Sequence, residues 1–167
     1  FWNIENFVEQ RLKKPKLKFS ISEAVFSPQN YNLAEFLDFE TAKAAAKTLS
    51  VFKKNLTSSH FFFLLLLENT PQINFVFSRL LLDIQEIRRT LSKDIDKLST
   101  IDKGLDFDKS FQDLIFEALK ISHQKQRSRI EVGDILVALT RIDESLKKIL
   151  IFSKLKPEDI ENLVWWF

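Results

Sequence analysis

The sequence predicts an all-α fold: a tandem repeat of two four-helix units that pack on each other, with an extra N-terminal helix and arm. Three observations predict it. Apolar residues recur at helical spacing along almost all of the 167 residues. There are only two glycines, Gly104 and Gly133, and four prolines, too few for the turns of an all-β fold. The two halves repeat one order of helices, long then short, short, short. At 45% hydrophobic and 29% charged the composition is globular. A chain of this length buries roughly 70% of its unfolded surface, which suffices for a core that must cover seventeen Phe.

Residues 3 to 13 form a short amphipathic helix, with Asn3 as candidate N-cap and Ile4, Phe7, Val8 and Leu12 on one side. Pro15 ends it. Arg11, Lys13, Lys14, Lys16 and Lys18 make a basic patch, and Leu17, Phe19 and Ile21 alternate with polar residues as in an extended arm. Pro28, Gln29 and Asn30 suggest a loop in the ambiguous stretch 22 to 30. A long helix is expected over 33 to 54, carrying Leu33, Leu37, Ala44, Ala45, Leu49 and Phe52. Thr57, Ser58 and Ser59 offer N-caps for a buried helix through Glu68. Thr70 caps the next, which Pro71 opens and which runs to about Leu82. Ile84, Ile87, Leu91 and Ile95 mark the fourth helix, and 99 to 106 read as a linker. The second half gives a long helix over 108 to 123, a polar loop over 124 to 129, and a helix from Val132 or Gly133. Asp143 caps the next one, and a last helix opens at Pro157 with Glu158 and Asp159 in its dipole-favoured first turn. The domain organisation is therefore 1–30 as N-terminal helix and basic arm, 31–98 as first repeat, 99–106 as linker and 107–167 as second repeat.

The repeat is visible residue by residue. Leu37-Asp38-Phe39-Glu40 matches Leu105-Asp106-Phe107-Asp108 at an offset of 68, and Phe61 to Leu65 matches Ile135 to Leu139 at 74. Phe77-Ser78-Arg79-Leu80 matches Phe152-Ser153-Lys154-Leu155 at 75, and Asp83-Ile84 matches Asp159-Ile160 at 76. One such unit leaves its short apolar helices half-covered, so the two halves should pack on each other.

Ile130-Glu131-Val132-Gly133-Asp134-Ile135-Leu136-Val137-Ala138-Leu139, preceded by Phe107 at the right distance, resembles the I-G-T-E-H-I-L-L-G-L segment of the Clp N-terminal repeat, found at the front of Clp-type AAA+ unfoldases. Leu56-Thr57-Ser58-Ser59-His60-Phe61-Phe62-Phe63-Leu64-Leu65 fits the same segment, and the resemblance covers about 33 to 166. It implies a pseudo-two-fold eight-helix bundle, a domain that performs no chemistry and captures client proteins or adaptors for ATPase rings lying C-terminal to it. ATP and magnesium would then belong to those modules, and no cofactor to this chain. The implied partners are unfolded or tagged clients, an adaptor, and, for a hexameric parent, a protease, in the cytoplasm and with no nucleic acid. In one branch of the family the Glu of G-T-E-H helps hold phosphorylated arginine. Here those positions are Ser59 and Gly133, and neither accepts from a guanidinium as a carboxylate does.

The candidate peptide- or adaptor-binding residues are Ser59, His60, Glu131, Gly133 and Asp134. Ser59 and His60 open a helix whose backbone N–H groups point outward, so a peptide or anion contact competes with a plain N-cap and a hydrogen-bonded histidine. Glu131 and Asp134 either meet a basic group of a peptide or compensate a helix dipole. His123, beside Lys125 and Arg127, reads as solvated.

Several chemistries are excluded. The absence of Cys removes disulfides, thiolate metal sites and a cysteine nucleophile. Two glycines leave no room for a dinucleotide fingerprint or a Walker A loop. Neither histidine belongs to an H-E-x-x-H pattern, and a net charge of +2 names no partner class. Phe61 to Leu67, the longest apolar run, is far short of the ~20 residues that span a bilayer. No signal peptide is visible, since Asn3, Glu5 and Glu9 stand at the front. Phe1 at one end and Trp165, Trp166 and Phe167 at the other suggest a piece cut from a longer polypeptide, and an upstream membrane segment stays open. The alternative function is a helical scaffold that docks to nucleic acid or an anionic membrane through 11–18; a weaker one is a carboxylate-based hydrolase.

Overall fold

The computed structural model describes residues 20–52, 56–98 and 108–167. The predicted helix 3–13, the basic arm 11–18 and the linker 99–106 lie outside them, as does Phe107. Among the described residues all regular elements are helices joined by short turns, apart from one isolated bridge.

The first departure from expectation comes at once. Ile21 is not in an extended arm but opens a helix, and the ambiguous stretch after it is helical to Phe26. The loop expected at Pro28, Gln29 and Asn30 is a single 3₁₀ turn. Ser20-Ile21-Ser22-Glu23 is a capping box: the Ser20 hydroxyl accepts from Glu23 N–H and the Glu23 carboxylate accepts from Ser20 N–H at 3.1 Å. It starts α1 (Ile21–Phe26), which packs on the long helix of the second half. Short 3₁₀ turns follow at Pro28–Asn30 and Leu33–Phe36. The helix expected from 33 begins at Phe39, because the 3₁₀ turn ends at Phe36 and Leu37 is extended and bridged to Ile130. Ile130 N–H donates to Phe36 O at 2.7 Å and Asp38 N–H to Ile130 O at 2.9 Å. Asp38 then caps α2 (Phe39–Phe52), accepting from Thr41 N–H at 2.8 Å.

α3 (Ser58–Glu68) follows its Thr57 cap, and Thr70 caps α4 (Pro71–Arg79), which stops three residues before Leu82. Next comes α5 (Ile84–Leu98). The second half holds α6 (Lys109–Gln124), α7 (Val132–Ile142), α8 (Glu144–Phe152) and α9 (Pro157–Trp166).

α3 and α7 are the buried axis. Phe61, Phe62, Leu65 and Leu66 of α3 and Ile135 through Leu139 of α7 are fully buried. A side chain of this size contributes about 1.5–3 kcal/mol when removed from water. Phe61 meets Phe111 of α6 edge-on at 5.6 Å, so the halves share one core. Gly133 sits where α7 meets α4 and α9: an added Cβ would lie 2.7 Å from Gln72 Nε2 and 2.7 Å from Val164 Cγ1.

The duplication is built into the backbone, with a different register from the one the sequence matches suggest. Asp108 N–H donates to Leu56 O at 2.8 Å, just as Asp38 N–H donates to Ile130 O, and Asp108 caps α6 as Asp38 caps α2. Asp38 thus corresponds to Asp108, an offset of 70 rather than 68. Thr70 and Asp143 cap α4 and α8 at an offset of 73. Leu81 and Lys154, both at φ 57, close those helices at the same offset. Each is the left-handed residue of a Schellman motif: Leu82 N–H returns to Phe77 O, and Leu155 N–H to Leu150 O. The 75 and 76 offsets therefore give way to 73, and Ile87 corresponds to Ile160, both buried.

Candidate protein-binding grooves

The predicted site residues gather at the N-termini of α3 and α7, and four of the five are buried there. His60 is the third residue of α3. Its Nδ1 accepts from Thr57 N–H at 3.0 Å, and its ring lies edge-on to Phe52 at 4.6 Å. Ser58 and Ser59 both donate to Asp143 Oδ1 at 2.7 Å, and Ser59 Oγ lies 3.3 Å from Ser145 Oγ. Ser145 reaches Asp94 Oδ2 at 3.1 Å, and Asp143 Oδ2 accepts from Leu146 N–H. This junction, where α3 meets α5 and α8, is closed by its own polar groups.

Its pseudo-symmetric counterpart at α7 is open. Asp38, Glu40, Thr70, Gln72, Glu131 and Phe167 surround a cleft of about 340 Å³. Glu131 is the one predicted residue whose side chain faces solvent there. Asp134, two per cent exposed, turns inward: it accepts from Glu131 N–H at 2.9 Å and from Arg127 Nη1 at 2.8 Å. Arg127 also pairs with Glu131 at 3.1 Å. Burial raises the Asp134 pKa to about 6, against the pull of the Glu131 N–H and the Arg127 guanidinium. His123 is exposed, and no metal-type cluster occurs among the described residues.

A second, apolar groove lies between the start of α5 and the end of α8, where the two repeats meet. It holds about 390 Å³. Ile87, Ile149 and Leu82 line it, Leu81 and Phe152 flank it, and Asp83, Glu86 and Lys148 edge it. Leu81 is 92% exposed and Phe152 91%. Leu81 moreover holds a left-handed backbone, which is unfavourable for a residue with a Cβ. The corresponding residue of the second repeat is Lys154, suited to water. A large apolar side chain held out on a strained turn is therefore particular to this groove.

Sequence reasoning passed over Leu81 and Phe152. The signal was present in Leu80-Leu81-Leu82 and Ile149-Leu150-Ile151-Phe152: consecutive helical residues point about 100° apart, so such runs cannot all face one core. At the C-terminus the same rule leaves Trp166 84% exposed, while Lys125 lies over the Trp165 ring and Phe75 meets Phe167 at 5.6 Å. A pairing of these aromatics with Phe1 and Trp2, which the aromatic ends of the sequence suggest as a hypothesis, falls on residues outside the described ones.

The architecture has relatives. The N-terminal domain of Hsp104 from Candida albicans superposes with a TM-score of 0.62 at 17% identity, covering 77% of this chain and 88% of that one. The N-terminal domain of the ClpV1 ATPase from the E. coli EAEC Sci1 T6SS gives 0.67 at 17%, covering 78% and 85%. A structure described as a peptide from the EAEC T6SS Sci1 SciI protein gives 0.65 at 19%, covering 78% and 88%. At such identities these likenesses speak for the fold. No curated protein matches the sequence. The family model of the Clp repeat (R) N-terminal domain matches residues 39–151, more than half of the chain and parts of both repeats. With the duplicated caps and shared core, that match shows that the chain belongs to the Clp N-terminal repeat domain family.

Proposed function

We propose that this domain is the client- or adaptor-recognition module of a Clp-type ATP-dependent unfoldase, and that it captures protein segments in the groove between α5 and α8. The carrying observation is that groove itself: an open apolar trough at the junction of the repeats, flanked by Leu81 and Phe152, both more than nine-tenths exposed. Affinity would come from burying an apolar segment against Ile87 and Ile149, and the neighbouring charges would orient it. The SciI peptide named for one structural neighbour supports a protein partner. Hydrolysis of ATP would fall to other modules of the parent polypeptide, which would hold the nucleotide, the magnesium and the contacts to a hexamer and a protease. Among the described residues no helix is long and apolar enough to cross a membrane.

The test is fluorescence anisotropy of a labelled, permanently unfolded protein titrated with the domain. Saturable binding that persists at high salt is expected, and Phe152→Ser should weaken it about tenfold. Binding that vanishes in salt would favour docking through charge instead. Equal binding by wild type and Phe152→Ser would place capture elsewhere on the surface.

A further inference from the structure

The pseudo-symmetry shows what a filled version of the α5–α8 groove looks like, because the equivalent junction between α9 and α4 is occupied by the chain itself. At the offset of 73, Lys148 corresponds to Phe75, Phe152 to Arg79 and Thr90 to Leu163. In the α4–α9 junction the Phe75 ring packs against Phe167 at 5.6 Å, and Arg79 lies over that ring at 5.3 Å. In the α5–α8 junction the ring position belongs to exposed Lys148, and no ring covers the apolar floor, which half-buried Ile149 and Leu82 and the edge of buried Ile87 form. The space of about 390 Å³ exceeds the roughly 150 Å³ of a cavity that accepts benzene. Phe152 and Lys148 can supply the stacking ring and the cation that Phe167 and Arg79 supply across the pseudo-dyad. The α5 wall also carries two exposed carboxylates, Asp83 and Glu86, in no ion pair among the described residues.

We infer that the α5–α8 groove recognises a partner segment that inserts an aromatic side chain between Phe152 and Lys148 and sets a lysine or arginine beside it against Asp83 and Glu86. This rests on the protein-capture reading and gives the captured segment its chemistry. The ring fills the volume that Phe75 fills in the other half. The basic neighbour answers the charge of the α5 wall and selects against acidic segments.

The experiment compares three labelled peptides with the whole 167-residue chain: one centred on Phe-Lys, one on Ala-Lys and one on Phe-Glu, each also used to displace an unfolded protein. Phe-Lys should bind tightest. Ala for Phe should weaken binding about tenfold. Glu for Lys should weaken it about threefold at low salt, and less at high salt. Glu86→Lys, at an exposed position, should fold normally by circular dichroism and reverse the preference between Phe-Lys and Phe-Glu. Equal binding of the Phe and Ala peptides, with the unfolded protein still captured, would overturn the aromatic anchor and leave capture standing. An unchanged preference in Glu86→Lys would overturn the charge selection. Failure of both peptides and unfolded protein to bind would remove the capture reading itself.

Discussion

Leu81→Gly should make the domain more stable and less able to bind. Leu81 is the left-handed residue closing α4, with φ 57, and its side chain is 92% exposed. A left-handed backbone costs an L-residue roughly 1–2 kcal/mol. Glycine removes that cost and adds roughly 0.5–1 kcal/mol of unfolded-state entropy. Little buried apolar area is lost, so the net gain is about 0.5–1 kcal/mol. For a domain of this size that raises Tm by about 1–4 °C. Thermal unfolding followed by circular dichroism checks it. Lys154→Gly, the same change at the pseudo-equivalent turn, should give a similar rise without affecting partner binding. Leu81→Ala keeps the Cβ and should leave Tm close to wild type. A fall in Tm for Leu81→Gly would refute the reasoning, since it would mean that the leucine side chain is packed and its turn unstrained.

Three further outcomes follow from the two helix N-termini. Gly133→Ala drives a Cβ to 2.7 Å from Val164 and Gln72, and should cost about 1–2 kcal/mol after the better helix propensity of Ala is allowed for, read as a lower urea midpoint. Asp143→Ala strands the Ser58 hydroxyl and the Leu146 N–H and leaves Ser59 only its 3.3 Å contact to Ser145, and should cost about 3 kcal/mol by the same assay. Asp134, with its folded pKa raised to about 6 from 3.8, binds its proton more readily folded than unfolded. Its stabilising contribution is complete below about pH 4 and is lost as pH rises through 6, so wild type should gain about 1–3 kcal/mol on Asp134→Asn between pH 7.5 and pH 4. A constant difference between the two proteins across that range would contradict it.

What was legible in the sequence is what local chemistry encodes alone. Thr57, Thr70 and Asp143 announced their helices because a capping side chain acts within three residues. The apolar run of α3 announced its burial for the same local reason. What was missed depends on partners distant in the chain. The delay of α2 to Phe39 comes from the pairing of Phe36 to Asp38 with Ile130, over ninety residues away, which helical periodicity at Leu33 and Leu37 cannot anticipate. The ends of α4 and α8 were blurred because their Schellman residues are Leu81 and Lys154 rather than glycine. The same blurring shifted the repeat register from 73 to 75. The grooves follow from that register: Lys148 facing the position of Phe75 is meaningless until the halves are superposed. Ser59, His60 and Asp134 were rightly located at helix starts. Whether such polar groups face inward, as in the Asp143 network, is decided by the neighbouring repeat.

The most direct test of protein capture at the α5–α8 junction is amide hydrogen exchange of the domain, with and without a saturating unfolded protein. The account predicts added protection at the start of α5, around Ile84 to Ile87, and at the end of α8, around Ile149 to Phe152, with no change at the start of α7. Protection confined to the α7 cleft around Glu131, or none anywhere while the protein is demonstrably bound, would contradict it.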